Sequence, residues 1–345
     1  VKPGFAQAGG CVLLAFAGGL FAGPTMGAAE LNQRGVDYLN KGEYSRALVQ
    51  FRAAASLRPK DPAIQFNVGL TLVRMGRLRE ALGPLGASLT HTGSAGEARY
   101  LRGVVLFQLG EFASASSELE PLRSGERNGE QVLYMLVESS RNSGDAQRSR
   151  QAFIELETRY PQSPLLNKLM GIAYEWQGNG PKASEEFLEA YRKNPRMPDI
   201  AFAIGYLHFK QRGYEEAREW FGKELSLDPC YAKAHHYLGQ IEAAAGGLPT
   251  AAAHYRRAIA CEPGYSEPYL GLGKVLEGTG DVAQAVKHYR QAVKLSPRNR
   301  RGHYVLGLAL RRSGRRGESD AELAIARGLG EEESERMPLL TRPQN

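Results

Sequence analysis

Residues 232–265 read AKAHHYLGQIEAAAGGLPTAAAHYRRAIACEPGY, and residues 266–299 read SEPYLGLGKVLEGTGDVAQAVKHYRQAVKLSPRN. Laid one above the other, these two lines of 34 residues agree at the places that a pair of packed helices needs. Glycine stands eighth (Gly239, Gly273) and fifteenth (Gly246, Gly280), alanine twentieth (Ala251, Ala285), tyrosine twenty-fourth (Tyr255, Tyr289) and proline thirty-second (Pro263, Pro297). Small residues at places eight and twenty let two helices approach closely. A large side chain there would force them apart at a cost of about 1–3 kcal/mol. The bulky twenty-fourth residue fills the space beside them. Glycine at place fifteen tolerates left-handed dihedrals and ends the first helix. Proline at place thirty-two stops the second.

The register extends in both directions without an insertion, through rows beginning at Ala28, Pro62, Gly96, Glu130, Pro164, Pro198, Ala232, Ser266 and Arg300. Glycine holds the eighth place in eight of the nine rows, and alanine holds the twentieth in seven. The twenty-fourth place is Phe51, Leu85, Leu119, Phe153, Phe187, Phe221, Tyr255, Tyr289 or Leu323. Each such hairpin leaves an apolar face that only its neighbour covers, so stability comes from stacking. Row four departs, with Val137, Arg141 and Ser149 at its characteristic places, and rows two and three lack the closing proline. The spacing therefore predicts the least regular structure between about Thr90 and Arg150.

These residues resemble the tetratricopeptide repeat, from about Ala28 to Leu329. The resemblance implies an all-α fold, a right-handed superhelical solenoid of antiparallel helical hairpins. Nine repeats would occupy residues 30–330, with a polar tail at 331–345. It further implies an inner surface lined by the first helix of each repeat, where a peptide or extended partner segment is held. The inner-facing places in that family are roughly two, five, nine, twelve and thirteen. Here they supply Phe66, Tyr100, Phe107, Tyr134, Trp176, Phe202, Tyr206 and Phe209, with Glu138, Asn142, Lys168, Glu175 and Lys210 interspersed. The later rows supply Lys233, His236, Gln240, Lys274, Arg301, Tyr304, Arg311 and Arg312. The expectation is an aromatic trough followed by a basic end. Aromatic and Arg side chains dominate binding hot spots, and Trp176, Phe107 and Phe209 are the expected exposed anchors. Packing against the next repeat is the competing role for about half of these rings. The Lys and Asn clamp with which some relatives bind a C-terminal carboxylate is missing, since Ile172, Ala203 and Tyr237 stand at its places.

Charge and cysteine sharpen the partner class. The chain carries +7 overall. Between Asp281 and Arg327, eleven Lys or Arg face only Asp281, Glu318, Asp320 and Glu322. An acidic partner or anionic surface could use that stretch, while a solvated basic end is the plainer reading. No nucleic-acid partner is expected. Lys2, the apolar run Cys11–Phe21 and the small residues Gly27-Ala28-Ala29 follow the order of a secretory signal peptide, predicted for residues 1–29. That run is too short to span a bilayer of ~30 Å, and export to the periplasm or exterior is the expected localisation. Cys230 and Cys261 lie near the ends of the second helices of rows six and seven. A bridge between them is within reach at helix-packing distances of ~8–10 Å but is not the default there.

Chemistry-bearing motifs are missing: no HExxH, GxSxG, phosphate loop or dinucleotide fingerprint occurs. His235 and His303 occupy packing places, His254 and His288 fall on the outer surface, and no metal site or cofactor is expected. The chain therefore reads as a non-catalytic scaffold that binds peptide segments of partner proteins, an exported assembly or organising factor. An accessory or adaptor subunit of an enzyme or secretion complex, or an anionic-surface binder, is the alternative.

Overall fold

The computed structural model describes residues 26–90 and 95–336. Among them are eighteen α-helices and no strand. The helices are α1 (Ala28–Asn40), α2 (Tyr44–Leu57), α3 (Pro62–Arg74), α4 (Leu78–Ala87), α5 (Ala95–Gln108), α6 (Phe112–Leu119), α7 (Gly129–Asn142), α8 (Ala146–Arg159) and α9 (Pro164–Trp176). They continue as α10 (Gly180–Lys193), α11 (Ile200–Lys210), α12 (Tyr214–Leu227), α13 (Ala232–Ala244), α14 (Leu248–Cys261), α15 (Ser266–Gly278), α16 (Val282–Leu295), α17 (Arg300–Arg312) and α18 (Arg316–Arg336). The described residues up to Gln177 form one compact unit and those from Gly178 a second. Each is a stack of helical hairpins. The expected signal segment falls almost wholly outside the described residues, and its last two residues, Ala28 and Ala29, already belong to α1. At the other end α18 runs on to Arg336, so the expected tail begins in helix; Glu332 is held there by an ion pair with Arg298.

The hairpins close as residue size demands. A Cβ built on Gly35 would lie 2.5 Å from the Phe51 ring, and one on Gly273 would lie 2.5 Å from Tyr289. Phe51, Phe221 and Tyr289 are among the largest fully buried side chains, and Ala47, Ala81, Ala115, Ala183, Ala217, Ala251 and Ala285 are buried completely. Row four solves the same contact differently. Ser149 Oγ donates to the Val137 carbonyl at 3.0 Å, so the hydroxyl that replaces alanine finds a partner across the hairpin. Irregularity is therefore confined to the joints, where the short 3-10 segments Ser88–Thr90 and Glu120–Leu122 lie, and the α7–α8 hairpin is as regular as its neighbours.

Successive rows are also tied by polar contacts. The side chain at place four donates back to the carbonyl of the proline that closed the row before. Gln65 reaches Pro59 at 2.8 Å, His235 Nε2 reaches Pro229 at 3.2 Å, Tyr269 reaches Pro263 at 3.1 Å and His303 Nε2 reaches Pro297 at 2.9 Å. Each of these proline carbonyls lies just past a helix C-cap, outside the helical hydrogen-bond ladder, and at these four joints the side chain satisfies it. His235 and His303 are thus hydrogen-bonding residues as well as packing ones. With its Nε2 hydrogen committed to Pro229, neutral His235 accepts at Nδ1 from His254, 3.3 Å away.

Rows four and six each begin at a left-handed N-cap, Asn128 and Asp199, and row six has a special support. Its N-cap Asp199 sits in the left-handed region at φ 67° and makes no capping hydrogen bond with its side chain. Glu224 of α12, only 2% exposed, supplies what is missing, accepting from the backbone N–H groups of Asp199 and Phe202 at 3.1 Å each. The place that Glu224 occupies is Ala54, Ala190, Ala258, Ala292 or Ala326 in other rows, and a charge there was the visible sign of a changed role.

Row six also carries Arg212 at place fifteen, at φ 64°, where the other eight rows have glycine at positive φ. A left-handed L-residue costs about 1–2 kcal/mol. Arg212→Gly is therefore expected to stabilise the protein by about 1 kcal/mol in urea unfolding. A loss of stability would show that Arg212 earns its strain through contacts of its own.

Candidate functional site

The residues expected on the inner faces divide between the two units, five in the first and three in the second. In the first unit their surroundings differ sharply. Phe66 is 5% exposed and shares a buried cluster with Val36, Leu70 and Val105, so it is a core residue and not a groove anchor. The ring gains more from complete burial among these apolar neighbours than from a half-wet surface. Tyr100 is half-buried, and loss of water pushes its phenol above the ordinary range. Phe107 is half-buried and packs edge-on against Phe112 of its own hairpin, with ring centroids 5.8 Å apart. Tyr134 is half-buried with the Lys168 ammonium 5.9 Å from its ring centroid.

Trp176 stands apart. It is 69% exposed, the most exposed large hydrophobic side chain among the described residues. It is also held in place. The Arg141 guanidinium lies 4.5 Å from the Trp176 ring centroid, and Arg141 donates to Glu138 at 2.7 Å. Burial pushes the Glu138 carboxyl above the usual carboxylate range, against the opposite pull of Arg141 and Lys168. Glu138 and Arg141 of α7 thus present the indole of α9 to solvent on a fixed support. Cation–π pairs of this kind contribute about 0.5–1 kcal/mol at exposed sites. Arg141 was visible in the sequence only as a departure of row four from the repeat pattern.

In the second unit Phe202, Tyr206 and Phe209 are half-buried, and all three gather on Tyr237 at centroid distances of 5.8, 5.2 and 4.9 Å. Tyr237 lies on the next first helix, α13, and is the hub that sequence reasoning missed. It stands at place six, outside the five places the resemblance assigns to the inner face. His236 beside it is 5% exposed, its Nε2 is 2.6 Å from Gln240 and its ring meets Tyr265 edge-on at 5.3 Å. Burial, with the Arg301 charge added, pulls the His236 pKa down to about 4. Phe209 is consequently a packed ring with one wet edge, not the freely exposed anchor expected.

The basic end is less bare than its composition. Arg312 pairs with Glu277 at 2.5 Å, Arg311 with Asp320 at 3.3 Å and Arg315 with Glu318 at 2.6 Å. Arg290 shares Glu318, and Arg298 holds Glu332. Lys233, Lys274 and Arg301 are exposed and make no ion pair among the described residues.

Cys230 lies in the turn past α12 and Cys261 is the last residue of α14. Their Cα atoms are 5.3 Å apart and the sulfurs are bonded. The helix-to-helix distance did not anticipate this, because Cys230 sits in the joint between rows and not on a helix. Among the described residues no helix is long and apolar enough to cross a membrane, and no three His, Cys, Asp or Glu side chains gather at metal-binding distance.

No curated protein matches the chain. Among solved structures, the Cut9–Hcn1 hetero-tetramer of the APC/C aligns over 88% of this chain and 73% of that one, with TM-score 0.61 and 13% identity. IFIT1, solved as a monomeric mutant with Gppp-AAAA, aligns over 88% of this chain and 71% of its own, with TM-score 0.52 and 16% identity. MamA is 23% identical over 48% of this chain and 97% of its own, with TM-score 0.42. The tetratricopeptide-repeat family model matches residues 32–89, 69–120, 168–230, 203–266 and 270–328. With that model covering most of its length, and with eighteen α-helices and no strand among the described residues, the chain belongs to the tetratricopeptide-repeat family.

Proposed function

We propose that this protein is a non-catalytic protein–protein interaction scaffold, which takes peptide segments of partner proteins on the inner faces of its repeats. Trp176 is the observation that carries the reading. An indole 69% exposed leaves most of its surface to solvent, yet Arg141, itself hydrogen-bonded to Glu138, lies against its ring from another helix. Pre-organised aromatic surface of this kind lowers the entropy lost when a partner binds. The export and assembly role rests on the order of residues 1–29 and gains support from the bonded pair Cys230–Cys261, since such bonds persist in oxidising compartments. The alternative of a basic, anionic-surface-binding end loses support, because Arg290, Arg298, Arg311, Arg312 and Arg315 each already face a carboxylate.

The test is selection from a random peptide library on the full chain, followed by titration of the selected peptides. Trp176→Ala is expected to weaken binding at least about tenfold, as hot-spot truncation does, while stability falls by no more than the roughly 0.5–1 kcal/mol of the lost cation–π contact. Arg141→Ala should weaken it less, since the indole remains. Failure to select any peptide, or full binding by Trp176→Ala, would remove this face from the proposal.

A further inference from the structure

We propose that the second unit carries a site for an acidic peptide segment, centred on Lys233, Lys274 and Arg301. The proposal rests on the reading of the inner faces as partner-binding surfaces and names the chemistry that one of them recognises. Lys233 is at place two of α13, Lys274 at place nine of α15 and Arg301 at place two of α17, all at inner-facing places of the family. All three are exposed and without an ion pair among the described residues, whereas Arg290, Arg298, Arg311, Arg312 and Arg315 each have one. Arg256, Arg257, Lys287 and Lys294 of the second helices are exposed as well, but Lys233, Lys274 and Arg301 stand at inner-facing places of first helices and give that face an excess of positive charge.

The carboxylates on that face, Glu267 and Glu277 of α15, offset it only in part. Glu277 is held by Arg312 at 2.5 Å and accepts from the Tyr289 hydroxyl at 3.2 Å. Glu267 accepts from Ser266 at 2.9 Å. The Arg301 charge also acts on His236 of α13 and on the phenols of Tyr255 and Tyr289. The inner places of the first unit offer no such excess, since Glu97, Glu138 and Glu175 there stand against Arg74, Arg141 and Lys168.

Spacing sets the size of the segment. Neighbouring first helices lie about 8–10 Å apart, so Lys233 and Arg301 are separated by roughly 20 Å. Lys274 is displaced seven residues, about 10 Å, along the helix direction. Each leg through Lys274 is then roughly 14 Å, and at roughly 3.3 Å per residue of extended chain about eight or nine residues join the three cations. Tyr304, 52% exposed one turn beyond Arg301, offers an apolar contact at one end. Side-chain carboxylates about four residues apart satisfy this geometry. A nucleic-acid backbone fits it poorly: its phosphate charges recur at every nucleotide, whereas a peptide can set uncharged residues opposite Glu267 and Glu277.

The experiment is fluorescence anisotropy with the full chain and three labelled probes of equal length: a peptide of alternating Glu and Gly, its Gln counterpart, and oligo(rA). The Glu peptide is expected to bind, to lose at least about tenfold between about 50 and 300 mM salt, and to lose about tenfold or more in the Lys233→Glu, Lys274→Glu, Arg301→Glu triple variant. The Gln peptide should not bind. Trp176→Ala should leave Glu-peptide affinity unchanged, which separates this site from the first unit's indole. The proposal is overturned if the triple variant binds within about twofold of the parent, or if oligo(rA) binds more tightly than the Glu peptide. If library peptides still depend on Trp176 while the Glu peptide does not bind, the scaffold reading stands and this site falls. Binding of the Glu peptide with no Trp176-dependent peptide would leave this site standing and remove the other.

Discussion

Phe221→Ala should destabilise the second unit by about 3–5 kcal/mol, the range for removing a fully buried aromatic ring. Phe221 has no exposed surface. Its ring lies 2.9 Å from where a Cβ on Gly205 would sit, which is why that place is glycine. The ring also contacts Phe202 at 5.5 Å and Tyr237 at 5.8 Å between centroids. Alanine would open a cavity between α11, α12 and α13 that these rigid rings fill only in part. Repeat proteins gain their stability from such nearest-neighbour contacts. Amide exchange should therefore quicken first in α11, α12 and α13. Phe221→Leu is the informative control. Rows two and three carry Leu85 and Leu119 at the same place, both fully buried, so leucine should cost less than half as much. A Phe221→Ala loss below about 1 kcal/mol would mean that the hairpin does not depend on its twenty-fourth residue.

Acid should also weaken the second unit, through His236. Its pKa lies near 4 in the fold, lowered first by burial and then by Arg301, against about 6.5 when unfolded. A depressed histidine binds fewer protons folded than unfolded. The stability it permits is full above about pH 6.5 and is lost as pH falls through 6.5 toward 4. Over that window the loss comes to about 3 kcal/mol. The groups around His236 are Tyr237 and Gln240 on its own helix, Tyr255 and Tyr265 packed against it, and Arg301. None is a carboxylate that would stabilise the charged ring. Other rows carry Phe66, Tyr100, Tyr134, Phe202 or Tyr304 at this place, so His236→Phe should be tolerated. Urea unfolding at pH 7 and pH 4 should show a smaller acid loss in the variant than in the parent. Some acid sensitivity will remain, because burial also lowers His235, His254 and His288. Equal acid losses in parent and variant would exclude His236 as the source.

The 34-residue period alone determined the hairpin array, because side-chain volume at places eight, twenty and twenty-four leaves two helices only one way to close. It likewise determined where first helices end, since eight glycines supply the left-handed turn, and it exposed Arg212 as the one substitution there. Which side chains face solvent was another matter. Phe66, Phe107 and Trp176 are all aromatic at inner-facing places, yet one is buried, one half-buried and one exposed. Their burial depends on contacts across the hairpin and with neighbouring rows, which a local pattern does not encode. Glu224 is capped into place across 22 and 25 residues, and Arg141 meets Trp176 from another helix. The basic end shows the same division. Composition counted its arginines, but only the folded chain decided that five of them meet carboxylates while Lys233, Lys274 and Arg301 stay open. Volume and backbone conformation act between near neighbours and repeat with the sequence. Charge and aromatic contacts act across rows, and tertiary packing assigns them.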